Sequence, residues 1–497
     1  MARLTPDRAY GEQAHASSPG AAPLRDVVRR GALWSMAGYG GSQVLRVAGN
    51  LVLTHLLVPE LFGLMALVNA LQQGLLLFSD VGIGPSIIQG RRGDDPDFLN
   101  TAWTVQVLRG LLLTCVAMAL AGPFARFYGE PLLLWVVMVS STTALMNGFN
   151  STRLFSMYRH VSLARVSAIE VGSQAAGLAT MLAWAAVDRS IWALVAGGVA
   201  GSLVRLVLSH TVLPGLSNRL RWDRTAVAQL LHFGRWIFFS TVLSFLVGQS
   251  DRLVFGKLVP LATLGAYSIG AMIAAMPAVL LARMASSVFF PVFSRVRESG
   301  QDLGLVFGRV RRPVLLLGGW TIAGLVGGGA VGVRLLYPQR LDQAGWIVQL
   351  LALAAWFTVL ESTNSAVLLA RGETHWSAAS GSVKLLGMLL LIPAGYALAG
   401  FRGAVAGLAA SEVLKYGVSA FAVTRAGLRG WPQELRLTGW MLATAGLGWL
   451  AARFCTLEGW PLIATAGVVF AVVTLAWAPL GLAYFTEQRS RRKAVAA

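Results

Sequence analysis

Long apolar runs, each close to the length a bilayer demands of a helix, alternate with short polar connections through almost the whole of this 497-residue chain. A helix rises 1.5 Å per residue, so crossing roughly 30 Å of hydrocarbon takes about 20 apolar residues. Such runs fall near 31–57, 61–88, 101–122, 131–150, 162–186, 190–213, 233–257, 264–290, 313–336, 343–370, 376–397, 400–423, 437–455 and 460–485. They predict an all-α polytopic membrane protein with fourteen transmembrane helices, or as few as twelve where neighbouring runs merge.

Polar residues inside these runs are periodic. In the first, Ser35, Tyr39, Ser42, Arg46 and Asn50 recur at steps of three or four and share one helical face. Comparable stripes are Asn69, Gln73 and Asp80 in the second, Thr143, Asn147 and Asn150 in the fourth, Ser167, Glu170 and Gln174 in the fifth, and Ser240, Ser244 and Asp251 in the seventh. Hydroxyl residues alone suit helix contacts in a membrane. Faces that add Arg, Asp, Glu, Asn and Gln fit a water-filled cavity better. The first twelve spans are expected to surround such a cavity, and the last two, which lack a stripe, to face lipid.

The segment NLVLTHLLVPELFG, from Asn50 to Gly63, resembles DRLVFGKLVPLATLG, from Asp251 to Gly265, with a shared LVP and a Gly four or five residues after its Pro. Six spans separate the copies, which preserves orientation, and parallel six-span halves around a central site are one plan that transporters use. The expected organisation is a polar lead over 1–24, an N-terminal six-helix bundle over 25–213, a basic connection over 214–232 and a C-terminal bundle over 233–425. Two extra helices over 426–486 and a basic tail over 487–497 complete it. Prolines at 59, 85, 260, 277 and 291 and the run Gly327 to Gly329 are candidate kinks or hinges.

Composition agrees: 56% of residues are hydrophobic and only 13% charged, a balance foreign to a soluble globule of this size. The net charge of +19 needs a separate explanation. The basic residues punctuate spans and cluster in alternate connections, as in Arg153, Arg159 and Arg165, Arg219, Arg221 and Arg224, and the tail from Arg489 to Lys493. That asymmetry is the positive-inside pattern, which places both termini in the cytoplasm. A nucleic-acid surface would instead want a basic groove with interleaved aromatics. Residues 1–24 lack the apolar stretch of a signal peptide.

Five basic residues, Arg46, Arg109, Arg205, Arg283 and Lys384, stand inside apolar runs. Leaving a charge there unsupported costs at least about 2.5–3.5 kcal/mol, so it must pair, snorkel or face water. The topology puts Arg205, Arg283 and Lys384 in the cytoplasmic half, where long side chains reach the interface. Arg109 lies nearer the midplane and Arg46 deeper, so these two lead as anion-binding candidates. Asp80, Glu170, Asp251, Glu361 and Glu412 are candidates to balance those charges or to carry protons, with Ser42, Asn50, Gln73 and Gln174 lining the cavity.

Enzymatic signatures are missing. There is no Walker A pattern, and the six histidines show no metal-binding spacing, so no cofactor, metal or catalytic residue is expected. The Asp-x-Asp formed by Asp95 and Asp97, next to Asp94, reads first as helix capping in a solvated loop and only second as a metal site. Cys115 and Cys455 lie in different runs and read as packing residues.

The ordered segments GALWSMAGYGGSQVLRV (31–47), LVPELFGLMAL (57–67), FSDVGIGPSIIQ (78–89), NTAWTVQVLRGLLL (100–113), WALV (192–195), LGAYSIGAMIAAMP (264–277) and LLARGETHW (368–376) resemble the Wzx-type polysaccharide flippases. These belong to the multidrug, oligosaccharidyl-lipid and polysaccharide exporter superfamily. The resemblance implies a V-shaped pair of six-helix bundles with two extra helices. It also implies a cationic central cavity and transfer of an undecaprenyl-pyrophosphate-linked oligosaccharide across the bacterial inner membrane for surface or exocellular polysaccharide. Expected partners are that lipid-linked glycan, the bilayer, and a polysaccharide polymerase with its export machinery. A lipid II flippase and a cation-coupled multidrug exporter of the same superfamily stay open as alternatives.

Overall fold

The computed structural model describes residues 24–80, 82–284, 289–299, 302–428 and 430–496. The side chains of Ser35, Ser240 and Arg283 lie outside the described residues. All the regular structure described is helical: α1 (Leu24–Leu56), α2 (Pro59–Phe78), α3 (Ile83–Gln89), α4 (Pro96–Tyr128), α5 (Leu132–Phe149), α6 (Arg153–Arg159), α7 (Leu163–Val187) and α8 (Trp192–Thr211), then α9 (Arg224–Leu258), α10 (Leu261–Met284), α11 (Phe290–Glu298), α12 (Leu303–Leu336), α13 (Gln343–Ala370), α14 (His375–Arg425), α15 (Trp431–Leu457) and α16 (Leu462–Ala496). Among the described residues nine helices are long and apolar enough to cross a membrane. The chain is a multi-pass membrane protein.

Local chemistry explains where the helices differ from the apolar windows. The window 61–88 contains two helices, because Gly82 adopts φ 67° and turns the chain after α2 into α3. The window 264–290 likewise runs past the end of α10 into α11. Windows 376–397 and 400–423 share α14, which breaks at Ala399 and Gly400. The φ of 59° at Gly400 suits glycine, and the two arms fold back so closely that a Cβ on Gly395 would lie 2.1 Å from the Gly403 carbonyl oxygen.

Two large cores organise the described residues, with smaller clusters beside them. One gathers Leu315, Trp356, Val367, Met441 and Trp477 from α12, α13, α15 and α16. The other joins both halves of the chain, drawing Leu67 and Val136 together with Phe255, Tyr267 and Met388. The helices α15 and α16 thus cover one side of α12, where Trp477 donates to Thr444 Oγ1 at 3.0 Å and Trp320 to Thr474 Oγ1 at 3.2 Å, and expose Leu447, Leu450, Phe470 and Leu475 elsewhere. Gly327, Gly328 and Gly329 are close-packing positions rather than a hinge: a Cβ there would meet the Ala445 oxygen at 3.0 Å, Val469 at 2.9 Å and Val348 at 2.9 Å. Cys455 is buried as expected of a packing residue, but Cys115 is exposed.

The repeated segments meet. A Cβ on Gly63 would lie 2.2 Å from the Leu261 oxygen, and one on Gly265 would lie 1.9 Å from the Pro59 oxygen. Each glycine of one copy receives the first turn of the other, so α2 and α10 touch backbone to backbone about a local two-fold. Further bonds tie the halves at this same end. Arg340 donates to the carbonyls of Thr54 (2.7 Å) and Leu57 (2.8 Å), satisfying the open end of α1. Tyr128 donates to Leu253 O at 3.1 Å and Lys257 to Phe127 O at 2.7 Å. The opposite end carries the arginine-rich connections and is called the basic end below.

Candidate functional site

A cavity of about 980 Å³ lies between the closed end and the basic end. Its walls come from α1, α2, α5, α7 and α8, with α9 and α10 supplying the facing side. Ser42, Arg46 and Asn50 of the first stripe line it, as do Asn69 and Gln73 of the second, Asn147 of the fourth, and Glu170 and Gln174 of the fifth. The 3.6-residue period places each set on one face, and Gln174 Nε2 donates to Ser42 O at 3.0 Å, which locks α7 to α1 beside the cavity. Near the closed end, Tyr337 reaches Asn50 Oδ1 at 3.5 Å.

Arg46 is exposed to this cavity and, among the described residues, makes no hydrogen bond or ion pair. Arg205 also lines it, 4.0 Å from Glu170, whose Oε1 accepts from Tyr158 at 3.1 Å. Arg252, from α9, has no sequence signal beyond its place after Asp251 in the repeated segment, yet it faces the cavity with its guanidinium on Gln249 Oε1 at 2.9 Å. Three arginines against one glutamate give the lining a net positive charge of two.

Arg109 is elsewhere. Its Nε donates to Ser79 Oγ at 2.9 Å and its Nη2 to Leu76 O at 2.6 Å, holding the end of α2. It lines a separate pocket of about 320 Å³ together with Asp80, Gln106, Asn147, Asn150 and Arg205. Asp80 Oδ1 accepts from Gly82 N at 2.9 Å and so shapes the turn into α3.

Two of the acidic candidates of the second half meet lysines and the third a tyrosine, instead of the cavity. Lys384 bonds Glu412 across the two arms of α14, and Lys415 bonds Glu361 at 3.0 Å. Asp251 accepts from Tyr267. Further toward the basic end, Arg311 is wholly buried and paired with Glu434 at 2.6 Å, with Asn364, Gln433 and the Gly430 carbonyl completing its bonds and Phe307 beneath the guanidinium. Tyr416 donates to the same Glu434. Arg311 looks from the sequence like one of a cluster of loop arginines, because nothing local distinguishes it from Arg309 and Arg312.

The acidic patch acts as caps and clamps. Asp95 accepts from Asp97 N at 3.0 Å at the start of α4 and pairs with Arg92, which also reaches Asp223 at 3.1 Å. Asp94 pairs with Arg159, and Asp97 with Arg221. Asp223 in turn caps α9: the Thr225 hydroxyl and N–H, and then Arg92, pull its pKa down to about 2. Through these bonds, and through Ala226 and Leu230 packing against Ile83, Ile87 and Phe98, the first turns of α9 rest on the N-terminal helices.

Over 424 residues the chain is 20% identical to the lipopolysaccharide biosynthesis protein WzxC of Escherichia coli, covering 84% of this chain and 85% of that one. It is 22% identical to the teichuronic acid biosynthesis protein TuaB of Bacillus subtilis and 21% to the succinoglycan biosynthesis transport protein ExoT of Rhizobium meliloti. Those matches cover 63% and 60% of this chain and slightly under two thirds of each relative, 65% and 61%. Among solved structures, the fold is similar to the lipid II flippase MurJ in an inward closed conformation, with a TM-score of 0.68 at 13% identity over 90% of this chain and 99% of that one. It is also similar to an inward-facing multidrug resistance MATE transporter, with a TM-score of 0.60 at 13% identity over 80% and 96%. Residues 52–343, more than half of the chain, match the family described as polysaccharide biosynthesis protein, and the chain belongs to that family.

Proposed function

We propose that this protein is a flippase that moves a polyprenyl-pyrophosphate-linked oligosaccharide from the cytoplasmic to the outer leaflet of a bacterial inner membrane for polysaccharide biosynthesis. Fourteen of its helical segments, with the two arms of α14 taken separately and the short α3, α6 and α11 left out, each cross the bilayer, with the basic end and both termini in the cytoplasm. A single observation carries the reading: an unpaired Arg46 inside a cavity whose lining has a surplus of two positive charges. Removing an arginine from water is costly, and an anionic ligand repays that cost. The guanidinium fork suits a pyrophosphate because it offers two parallel bonds to phosphate oxygens and stays charged. Arg252 and Arg205 would share the anion, while Asn69, Gln73 and Gln174 meet sugar hydroxyls.

The same surplus disfavours export of cationic drugs, which wants an acidic cavity. Lys384 carries no part of this proposal, since Glu412 neutralises it. Glycan export in cells whose own flippase is deleted tests the proposal. Arg46→Ala and Arg252→Ala should each lower export at least tenfold at normal protein levels. Full export by both variants would overturn it, and rescue of a strain lacking lipid II transport instead would reassign the cargo.

A further inference from the structure

The 320 Å³ pocket beside the main cavity is built like a binding site. Arg205 and Asn147 line both spaces and so form the partition between them. Arg109, pinned by Ser79 Oγ and Leu76 O, presents a fixed guanidinium to it, and Asp80, the only acid among the described lining residues, has one oxygen committed to Gly82 N.

The polar atoms of this pocket are left unfinished. Gln106 Nε2 donates to the carbonyls of Asn147 (3.2 Å), Gly148 (3.0 Å) and Asn150 (2.9 Å), which fixes the amide orientation because carbonyls can only accept. Its Oε1 is then buried without a donor. Of the nine buried side-chain polar atoms without a partner among the described residues, three belong to this lining: Gln106 Oε1, Asn150 Oδ1 and Arg205 Nε. Each such atom costs about 1–3 kcal/mol unless a ligand or water completes it. A lining that brings together two arginines and two residues with unpartnered acceptors suits a ligand that combines an anion with hydroxyl donors. At about 30 Å³ per water the volume holds roughly ten waters, which suits one sugar ring with its phosphate and not an oligosaccharide.

We propose that this pocket is a second subsite, which takes the phosphate and first sugar of the lipid-linked glycan at a different stage of its passage from the one in which Arg46 and Arg252 hold the pyrophosphate in the main cavity. The inference rests on the flippase reading and deepens it. Arg205, in the partition, then serves both subsites in turn as the headgroup passes between them. Leu76, Leu113 and Phe155 give the sugar ring an apolar face.

Binding to the purified full chain in nanodiscs tests it, with farnesyl-pyrophosphate-linked glucose and free glucose 1-phosphate as probes. The wild type should bind the prenylated probe. Arg109→Gln should weaken that binding tenfold or more, Arg109→Lys should recover part of it, and Asn150→Asp should weaken it through charge repulsion. Equal loss with glucose 1-phosphate would show that the sugar phosphate is recognised without its lipid, and loss confined to the prenylated probe would show that the lipid is read as well; either outcome supports the subsite. Unchanged binding in Arg109→Gln and Asn150→Asp, with loss in Arg46→Ala, would place the whole headgroup in the main cavity and overturn the subsite while leaving the flippase reading standing. No binding of either probe by a wild type that also fails to export glycan would bring down both. Thermal melting of each variant separates lost binding from lost folding.

Discussion

Replacing Gly63 or Gly265 by alanine perturbs the contact that closes one end of the molecule. The new Cβ atoms would sit 2.2 Å and 1.9 Å from the carbonyl oxygens of Leu261 and Pro59. Carbon and oxygen rest at about 3.3 Å or more, so α2 and α10 must part by roughly 1 Å. Both obstacles are backbone, which cannot rotate away. Overpacking of this kind costs about 1–3 kcal/mol, against a gain of up to about 1 kcal/mol for alanine in a helix. The helix gain is the same whether this end is open or closed, so the overpacking cost of about 1–3 kcal/mol falls only on the closed state. At 1.4 kcal/mol per factor of ten, each substitution should shift the closed-to-open ratio by about five- to 140-fold toward open. The double variant should cost less than the sum, because the first separation makes room for the second. Spin labels at Val58 and Gln339, both exposed on opposite halves, would report the separation by pulsed electron paramagnetic resonance with Cys115 replaced. Gly122→Ala and Gly198→Ala are the internal controls, since a Cβ there meets nothing within 4 Å. They should leave the distances alone and hold or raise the melting temperature. Distance distributions in Gly63→Ala and Gly265→Ala that match the wild type would refute the argument.

Two further outcomes follow from the polar networks. Arg311→Ala strands the buried Glu434 and should cost about 3–5 kcal/mol, read as a sharp loss of folded protein in a thermal or denaturant melt; a melt equal to wild type would refute the network's role. The carboxylate of Asp223 has its pKa lowered to about 2, so its stabilising effect on the start of α9 is complete above the unfolded value of about 3.9 and is lost only as pH falls through 2. Hydrogen exchange of the first turns of α9, corrected for intrinsic rates, should therefore show constant protection from pH 5 to 8, and a progressive loss between pH 7 and 5 would contradict it.

The candidate site was partly legible because periodicity survives folding. Ser42, Arg46, Asn50, Gln73, Glu170 and Gln174 share helical faces in the sequence, and those faces turn to one cavity. Legibility failed where a partner is distant in the chain. Lys384 reads as a lone cation, yet Glu412 lies opposite it only because α14 folds back at Gly400. Arg311 reads as a loop residue, yet Glu434, 123 positions later, draws it into the interior.

By itself the sequence determined the helices, their membrane character and the duplicated turn, because each depends on local composition and on a period fixed by backbone geometry. The glycines four or five residues after Pro59 and Pro260 announced a repeat but not that the two copies would touch. Tertiary structure alone decided which polar face meets which. It gave Arg252 a place in the cavity, moved Arg109 into its own pocket, and divided the charges into paired and unpaired. Pairing is a question of distance in space, and a few ångströms separate a neutralised lysine from an arginine left waiting for an anion.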